Sequence, residues 1–298
     1  MCGMAHEGAA RTLFVTGATG FIGRRVMSLL RRAGDRPVRC LVREGRAFES
    51  GGAVQVVRGS LEHPESYAQA LAGVNTVLHL AAKTGPGRRT DHFRTNADGT
   101  ASLVRACREA GVQWFVHLSS IAVTYQNKTA YHYAESKERA EQIVRSSGMR
   151  WVIVRPTFVF GDGSRIETSL ARLAALPVVP IFGDGRARVQ PIHVDDVAAY
   201  LVSALDDPSL DHRDVNLGGP ETVSFEDLVR RIRRATRGDS GRVIHLPGRA
   251  TMRALAFVER WIGPVLPIGA GQIAACLNDS VATPEPRAAV DQIGRAHV

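Results

Sequence analysis

Residues 13–26 read LFVTGATGFIGRRV, and this stretch decides the fold. Leu13, Phe14 and Val15 form an apolar run without polar alternation, the pattern of a parallel strand buried on both faces. The run breaks at Gly17, and Gly20 and Gly23 follow before an arginine-rich, amphipathic helical pattern begins. Glycines at such positions let the chain turn tightly off the strand, admit a pyrophosphate to the first helical turn and let the helix approach the sheet. The free N–H groups and positive dipole end of that helix would hold the phosphates. A glycine triplet alone says little. Placed between a strand pattern and a helix pattern, it reads as a dinucleotide-binding turn.

Outward from this turn, strand patterns recur at residues 37–42 (PVRCLV), 53–57 (AVQVV), 74–80 (VNTVLHL) and 113–118 (QWFVHL), with a helical stretch over 91–110. Their alternation with helices over short connections predicts an α/β fold with a doubly wound parallel sheet. The acidic residue that would hold an adenosine ribose is expected at the end of the second strand, where Arg43 stands instead. A cation there favours a 2′-phosphate, so NADP(H) is the preferred cofactor over NAD(H), with Arg24 placed to assist. The fifth strand delivers Ser119 and Ser120 at its carboxyl end, where open parallel sheets bind ligands.

The next helix contains YHYAESKERAE. Tyr133 and Lys137 are four residues apart and share one helix face. The chain has only three lysines (Lys83, Lys128 and Lys137), and no other tyrosine has a lysine four residues on. Proton transfer to a carbonyl oxygen is the chemistry that wants such a pair. A free phenol, with a pKa of about 10, is too weak an acid to serve as a base near neutrality. A nearby ammonium and an oxidised nicotinamide would both lower it, and the Ser120 hydroxyl could hydrogen-bond the substrate oxygen.

Composition narrows the class. A chain of 298 residues can bury a large core, and 44% hydrophobic with 22% charged residues is ordinary for a globular protein. The net charge of +9 comes almost entirely from arginines scattered along the helices, so a nucleic-acid partner is not expected; attraction to phosphorylated ligands is. Cys2, Cys40, Cys107 and Cys276 lack zinc or redox spacing, and no metal site is read. They point to free thiols in a reducing compartment. MCGMAHEGAA lacks the apolar core of a signal peptide, and Trp261–Leu277 is too short and too interrupted to span a membrane. A cytoplasmic protein is expected, with a small-molecule substrate; a homodimer and a peripheral membrane contact through the apolar tail stay open.

Taken together, TGATGFIG, RGSLEH, HLAA, the Asn96-x-x-Gly99-Thr100 group, HLSS, the Tyr133–Lys137 pair, RPTFVFG and PIHVDDVA resemble the short-chain dehydrogenase/reductase superfamily, in its extended or atypical branch (the NAD-dependent epimerase/dehydratase family). The resemblance covers roughly residues 11–200. It implies a seven-stranded Rossmann domain over 11–160, completed by 189–218, and a smaller C-terminal substrate-binding region from 161–188 and 219–298; residues 1–10 are read as a disordered tail. It implies Tyr133 as acid/base, Lys137 on the nicotinamide ribose and Ser120 as substrate polariser. Cofactor contacts would come from Gly17, Gly20, Phe21, Ile22, Gly23, Arg43, Ser60, Leu61, Leu80, Ala81, Ala82, Asn96 and Pro156, besides Tyr133 and Lys137.

Departures from the family pattern matter too. Ser60 stands where the family usually has aspartate, which weakens a contact to the adenine. Ile121 and Ala122 follow Ser120 where sugar-nucleotide dehydratases carry Asp-Glu, so water elimination has no agent. Thr157 and Phe158, and later Gln190-Pro191, replace the asparagine and arginine common in sugar-nucleotide epimerases. RPTFVFG is closer to the branch that handles apolar alcohols and ketones, such as the 3β-hydroxysteroid dehydrogenase-like enzymes. It is also close to the group containing the accessory subunit of respiratory complex I. The expectation is hydride transfer between NADP(H) and a secondary alcohol or ketone, with sugar-nucleotide epimerisation or a non-catalytic cofactor-binding subunit as alternatives. His193, Asp195 and Asp196 are read as a turn and helix cap, not a metal site or triad.

Overall fold

The computed structural model describes residues 11–128, 131–262 and 270–282. The expected N-terminal tail and much of the apolar C-terminal stretch lie outside the described residues. The chain begins with β1 (Thr12–Thr16), α1 (Phe21–Ala33), β2 (Val38–Val42), β3 (Val54–Arg58) and β4 (Val74–His79). It continues through α2 (Arg89–Phe93), a π-helical turn (Arg94–Asp98), α3 (Gly99–Glu109), β5 (Trp114–Leu118), α4 (His132–Arg145) and β6 (Arg150–Pro156). Next come β7 (Val159–Phe160), α5 (Arg165–Ala174), β8 (Val178–Phe182), β9 (Arg188–Val189), β10 (Ile192–His193) and α6 (Val194–Ser203). The last are β11 (Arg213–Leu217), β12 (Val223–Ser224), α7 (Phe225–Arg237), β13 (Arg242–Leu246), α8 (Gly248–Ile262) and α9 (Ala270–Leu277).

Seven strands form one sheet in the order β11-β6-β5-β4-β1-β2-β3, every neighbouring pair parallel. This is a Rossmann-type, doubly wound sheet. Leu13, Phe14 and Val15 are wholly buried, as their unbroken apolar run requires for a strand covered on both faces. On α1 the buried residues Gly23, Val26, Met27 and Leu30 recur at helical spacing and turn one stripe to the sheet. That helix stops at Gly34, whose left-handed backbone (φ 60) lets its N–H donate to the Leu30 carbonyl, while Arg31 and Arg32 face the negative dipole end. Strand order reverses between β1 and β4, and at such a switch point a crevice opens beyond the carboxyl ends of the strands.

Beyond the large sheet the chain pairs in short segments: β7 with β10, β9 with β12, and β8 with β13. A separate apolar cluster (Phe158, Leu170, Ile181, Phe225 and Leu228 among others) fills the space under α5 and α7. The expected continuous helix over 91–110 is interrupted by the π-helical turn at Arg94–Asp98. Its cause is visible in the site.

Candidate active site

The crevice between β1 and β4 is built by close backbone approach. A Cβ on Gly17 would lie 2.6 Å from the Ala81 nitrogen and 2.7 Å from the Leu80 carbonyl carbon, and Gly17 also has φ 77. A Cβ on Gly23 would lie 2.1 Å from the Gly17 carbonyl oxygen. Only glycine fits at either place. Of the sequence-predicted residues, Gly17 therefore meets Leu80 and Ala81 across the switch point; Gly20, Phe21, Ile22 and Gly23 continue into the first turn of α1, and Ala82 follows Ala81 after β4. Gly20 caps α1 without a side-chain hydrogen bond, and the first turn carries no acid. Free N–H donors and an unopposed positive dipole suit a pyrophosphate. On these observations the cradle fits a dinucleotide.

The remaining predicted cofactor residues stand around it. Arg43 follows β2 directly and is exposed. Ser60 accepts from the Glu62 N–H through its hydroxyl (3.3 Å) and donates its own N–H to Ser66 (3.2 Å). Leu61 is buried, and a Cβ on Gly99 would meet its Cβ at 3.0 Å. Pro156 ends β6 opposite Leu217. Asn96 lies in the π-helical turn and spends its whole amide on neighbours: Oδ1 accepts from the Lys83 N–H (2.7 Å), and Nδ2 donates to the Lys83 carbonyl (3.0 Å) and the Ser136 hydroxyl (2.9 Å). It thus ties the segment after β4 to α4, and the extra residue of the turn aims it there.

Ser120, Tyr133 and Lys137 converge at the carboxyl end of β5. Ser120 leaves the strand in extended backbone and accepts from the Ala122 N–H (3.2 Å), so its hydroxyl is fixed at the strand end. The Ser120 hydroxyl lies close enough to the Tyr133 phenol to favour its charged form. Burial pushes the Tyr133 phenol up to about 12, and the Ser120 contact pulls it partly back. In the protein alone the direction is thus opposite to the one that an ammonium and an oxidised nicotinamide together would give. The reason is where Lys137 goes: its Nζ donates to the Leu118 carbonyl (2.7 Å) and lies 3.2 Å from His117 Nε2. Lys137 is 1% exposed, and burial draws it down to about 7 against the opposing attraction of Glu141. Aromatic rings frame the phenol, with Tyr131 at 5.9 Å and His92 edge-on at 6.3 Å between centroids. α9 closes on Tyr131, where a Cβ on Gly271 would come within 2.6 Å of the ring.

Several groups here escaped sequence reasoning. His79 and His117 stand opposite each other in the β4–β5 register, both fully buried. The signal was present, because each histidine sits inside an apolar strand pattern just before a leucine (VLHL, FVHL). One turn beyond Lys137, the carboxylate of Glu141 accepts from Arg155 through both oxygens (2.8 and 2.6 Å) and from Arg145 (2.9 Å); both arginines also bond Asp214. These long-range pairs have no local signature. His193 caps α6, its Nδ1 accepting from the Asp195 N–H (3.3 Å). Gln190 receives the Ala282 N–H (2.9 Å) and donates to the Gly219 carbonyl (2.5 Å), so this residue, just before the Ile192-His193-Val194 motif, knits the C-terminal segment in place.

A nucleotide cradle at the sheet's switch point, with a hydroxyl, a phenol and a lysine beside it, defines a dinucleotide-dependent protein of the Rossmann class. Residues 17–208 match the family model described as NAD(P)H-binding. A ceramide reductase of Caulobacter vibrioides is 32% identical over 250 residues, 83% of this chain and 77% of that protein. The chain belongs to this NAD(P)H-binding family, as its likeness to the short-chain dehydrogenase/reductases implies. NADH dehydrogenase (ubiquinone) 1 alpha subcomplex subunit 9 of mouse mitochondria is 29% identical over 233 residues, 76% of this chain and 61% of that one. Among solved structures, MoeE5 in complex with UDP-glucose and NAD is similar at TM-score 0.65 and 26% identity, covering 79% of this chain and 85% of the other. Among the described residues, no helix is long and apolar enough to cross a membrane.

Proposed function

We propose that this protein is an oxidoreductase that moves a hydride between NADP(H) and a secondary alcohol or ketone on a largely apolar molecule, with Tyr133 as the acid/base. The observation that carries the reading is the convergence of Ser120, Tyr133 and Lys137 at the end of β5, beside the glycine cradle. The bound nicotinamide supplies the hydride or accepts it. The uncapped start of α1 and the Gly17–Gly23 turn bind the phosphates, and exposed Arg43 meets a 2′-phosphate. Ser120 orients the substrate oxygen. Tyr133, still protonated at neutral pH because burial holds its phenol high, donates the proton that turns a carbonyl into an alcohol. The ceramide reductase relative supports a long-chain, apolar substrate.

Sugar-nucleotide epimerisation is a second reading, favoured by the likeness to a UDP-glucose- and NAD-bound protein. Against it stands Gln190, engaged on Gly219 and Ala282 and not free for a diphosphate. A cofactor-binding subunit without catalysis is the third, supported by the mitochondrial relative. An intact phenol, hydroxyl and lysine at one point are groups a mere scaffold has no physical use for.

The test is NADPH oxidation by the purified protein against long-chain keto-amides, steroids, quinones, aldehydes and UDP- or GDP-sugars. Turnover of a keto-lipid supports the proposal; tight copurified cofactor with stabilisation by sugar nucleotides alone moves the reading to epimerase. Calorimetric titration with both cofactors checks Arg43. NADPH should bind more tightly than NADH, and Arg43→Ala should erase about 10-fold or more of that preference, the worth of a hydrogen bond to a charged group. Equal affinities for the two cofactors would remove Arg43 from the account.

A further inference from the structure

His79 has every nitrogen settled. The Thr100 hydroxyl spends its proton on the Asn96 carbonyl (2.6 Å), so it accepts from His79 Nε2–H (2.9 Å). A neutral imidazole carries one N–H. Its Nδ1 therefore accepts from the Thr16 hydroxyl (2.6 Å), whose oxygen takes the Ala81 N–H (3.3 Å). His117, with its ring centroid 5.2 Å away, is not settled in this manner. Its Nε2 faces Lys137, and its Nδ1 has no hydrogen-bond partner among the described residues.

An ammonium has donors only, so against charged Lys137 the imidazole must accept at Nε2 and keep its proton on Nδ1. A neutral amine has a lone pair, to which Nε2–H can donate while the amine still donates to the Leu118 carbonyl. That second arrangement leaves a bare nitrogen unpartnered instead of an N–H, the cheaper of the two orphans. We propose that His117 is a positioning residue for Lys137: with the Leu118 carbonyl, its Nε2 seats the lysine nitrogen and accommodates it in both charged and uncharged forms. The two forms differ by one proton, released to bulk water. The imidazole keeps one proton throughout, on Nδ1 in the charged form and on Nε2 in the uncharged form.

The surroundings make the lysine, not the imidazole, the group that changes charge. Burial, then Lys137 itself, holds His117 far below its ordinary value, and the same causes take His79 to about 3. Along α4, Tyr133 lies one turn before Lys137 and Glu141 one turn after it, and Arg145 and, from β6, Arg155 pair with Glu141. β4 sets His79 beside His117, while α2 sets His92 against Tyr133 and Arg89 against Glu135. Glu141 is the one carboxylate that opposes the desolvation of Lys137. The inference deepens the proposed function and rests on it only for the catalytic use of Lys137.

With three lysines in the chain, isotope-labelled lysine gives a spectrum simple enough to titrate by NMR on the whole protein without substrate. Lys137 is assigned from the signal lost in Lys137→Met, and it should titrate near neutrality. In His117→Leu its midpoint should fall by about half to one pH unit, because the charge-assisted bond lost by the ammonium outweighs the neutral bond lost by the amine. In His117→Gln, whose amide can both accept and donate, the midpoint should return close to that of the natural protein. An unchanged midpoint in His117→Leu, or equal shifts in the two variants, overturns the proposal. If His117→Leu fails to fold, labelled histidine in the natural protein decides the matter. The His117 nitrogens should exchange protonated and unprotonated signatures across the Lys137 midpoint, and a constant signature overturns the assignment. Because turnover is not measured, failure here leaves the oxidoreductase reading to its own test.

Discussion

Two buried polar clusters lie one helical turn apart on α4, and they are built on opposite principles. Around Glu141, 2% exposed, the carboxylates and guanidiniums of Arg145, Arg155 and Asp214 pair with one another at 2.6 to 2.9 Å. Around Lys137, the same depth of burial is met with neutral partners: a carbonyl, two uncharged imidazoles and hydroxyls. The first cluster keeps its charges by matching them. The second holds a titratable nitrogen near its switching point, the condition that the proposed proton chemistry would use. On the proposed function, stability and chemistry occupy adjacent turns of one helix.

The largest effect should come from unbalancing the charged cluster. Removing one member of a buried ion pair typically costs ~3–5 kcal/mol, and Glu141→Ala should lose that much in chemical denaturation. Its arginine partners hold the Glu141 carboxyl below its usual value despite the opposing effect of burial. The natural protein therefore has this contribution in full above the unfolded carboxylate range and loses it as pH falls through the lowered value. The variant should lack that acid-side slope; a loss below about 1 kcal/mol would put Glu141 with ordinary surface pairs.

The opposite sign is expected one turn earlier. Lys137 is depressed from 10.5 to about 7, so across that interval the unfolded chain binds a proton that the folded one does not. Stability of the natural protein thus rises with pH from about neutrality to the ordinary lysine range. Lys137→Met removes the term, and its stability relative to the natural protein should improve by about 1–3 kcal/mol on going from alkaline to neutral pH. Parallel stability curves for the two proteins would show that the lysine is not desolvated as described. Smallest of all is the exposed pair Arg231–Glu221 at 2.7 Å, with side chains 44% and 59% exposed. Arg231→Ala should change stability by less than about 1 kcal/mol, and a larger loss would blur the contrast between buried and exposed ion pairs.

How much of this was legible in the sequence follows the range of the interactions. The strands were readable because Leu13–Val15 or Trp114–Leu118 announce burial on both faces within a few residues. The glycine turn was readable because its spacing reflects one local requirement, a backbone too close for a Cβ. Tyr133 and Lys137 were readable because helical spacing alone puts them on one face. The helix over 91–110 was misjudged in one respect: its π-helical turn answers to Asn96 reaching Lys83 and Ser136, contacts that exist only after folding. The direction of the Lys137 nitrogen, the facing histidines and the Glu141–Arg155 pair likewise depend on strand register and on partners far along the chain. The expectation of a low phenol rests on an ammonium and an oxidised nicotinamide beside it. In the fold, burial outweighs that and Lys137 turns to His117.

The central claim is that Tyr133 delivers a proton at the carboxyl end of β5, and Tyr133→Phe addresses it most directly. The variant keeps the ring and loses only the hydroxyl, so NADPH affinity by calorimetry should stay nearly unchanged. Turnover of whichever ketone the natural protein reduces should fall by ~100- to 10,000-fold, the usual contribution of a general acid. More than half of the natural rate remaining in a variant that still binds NADPH would contradict the account.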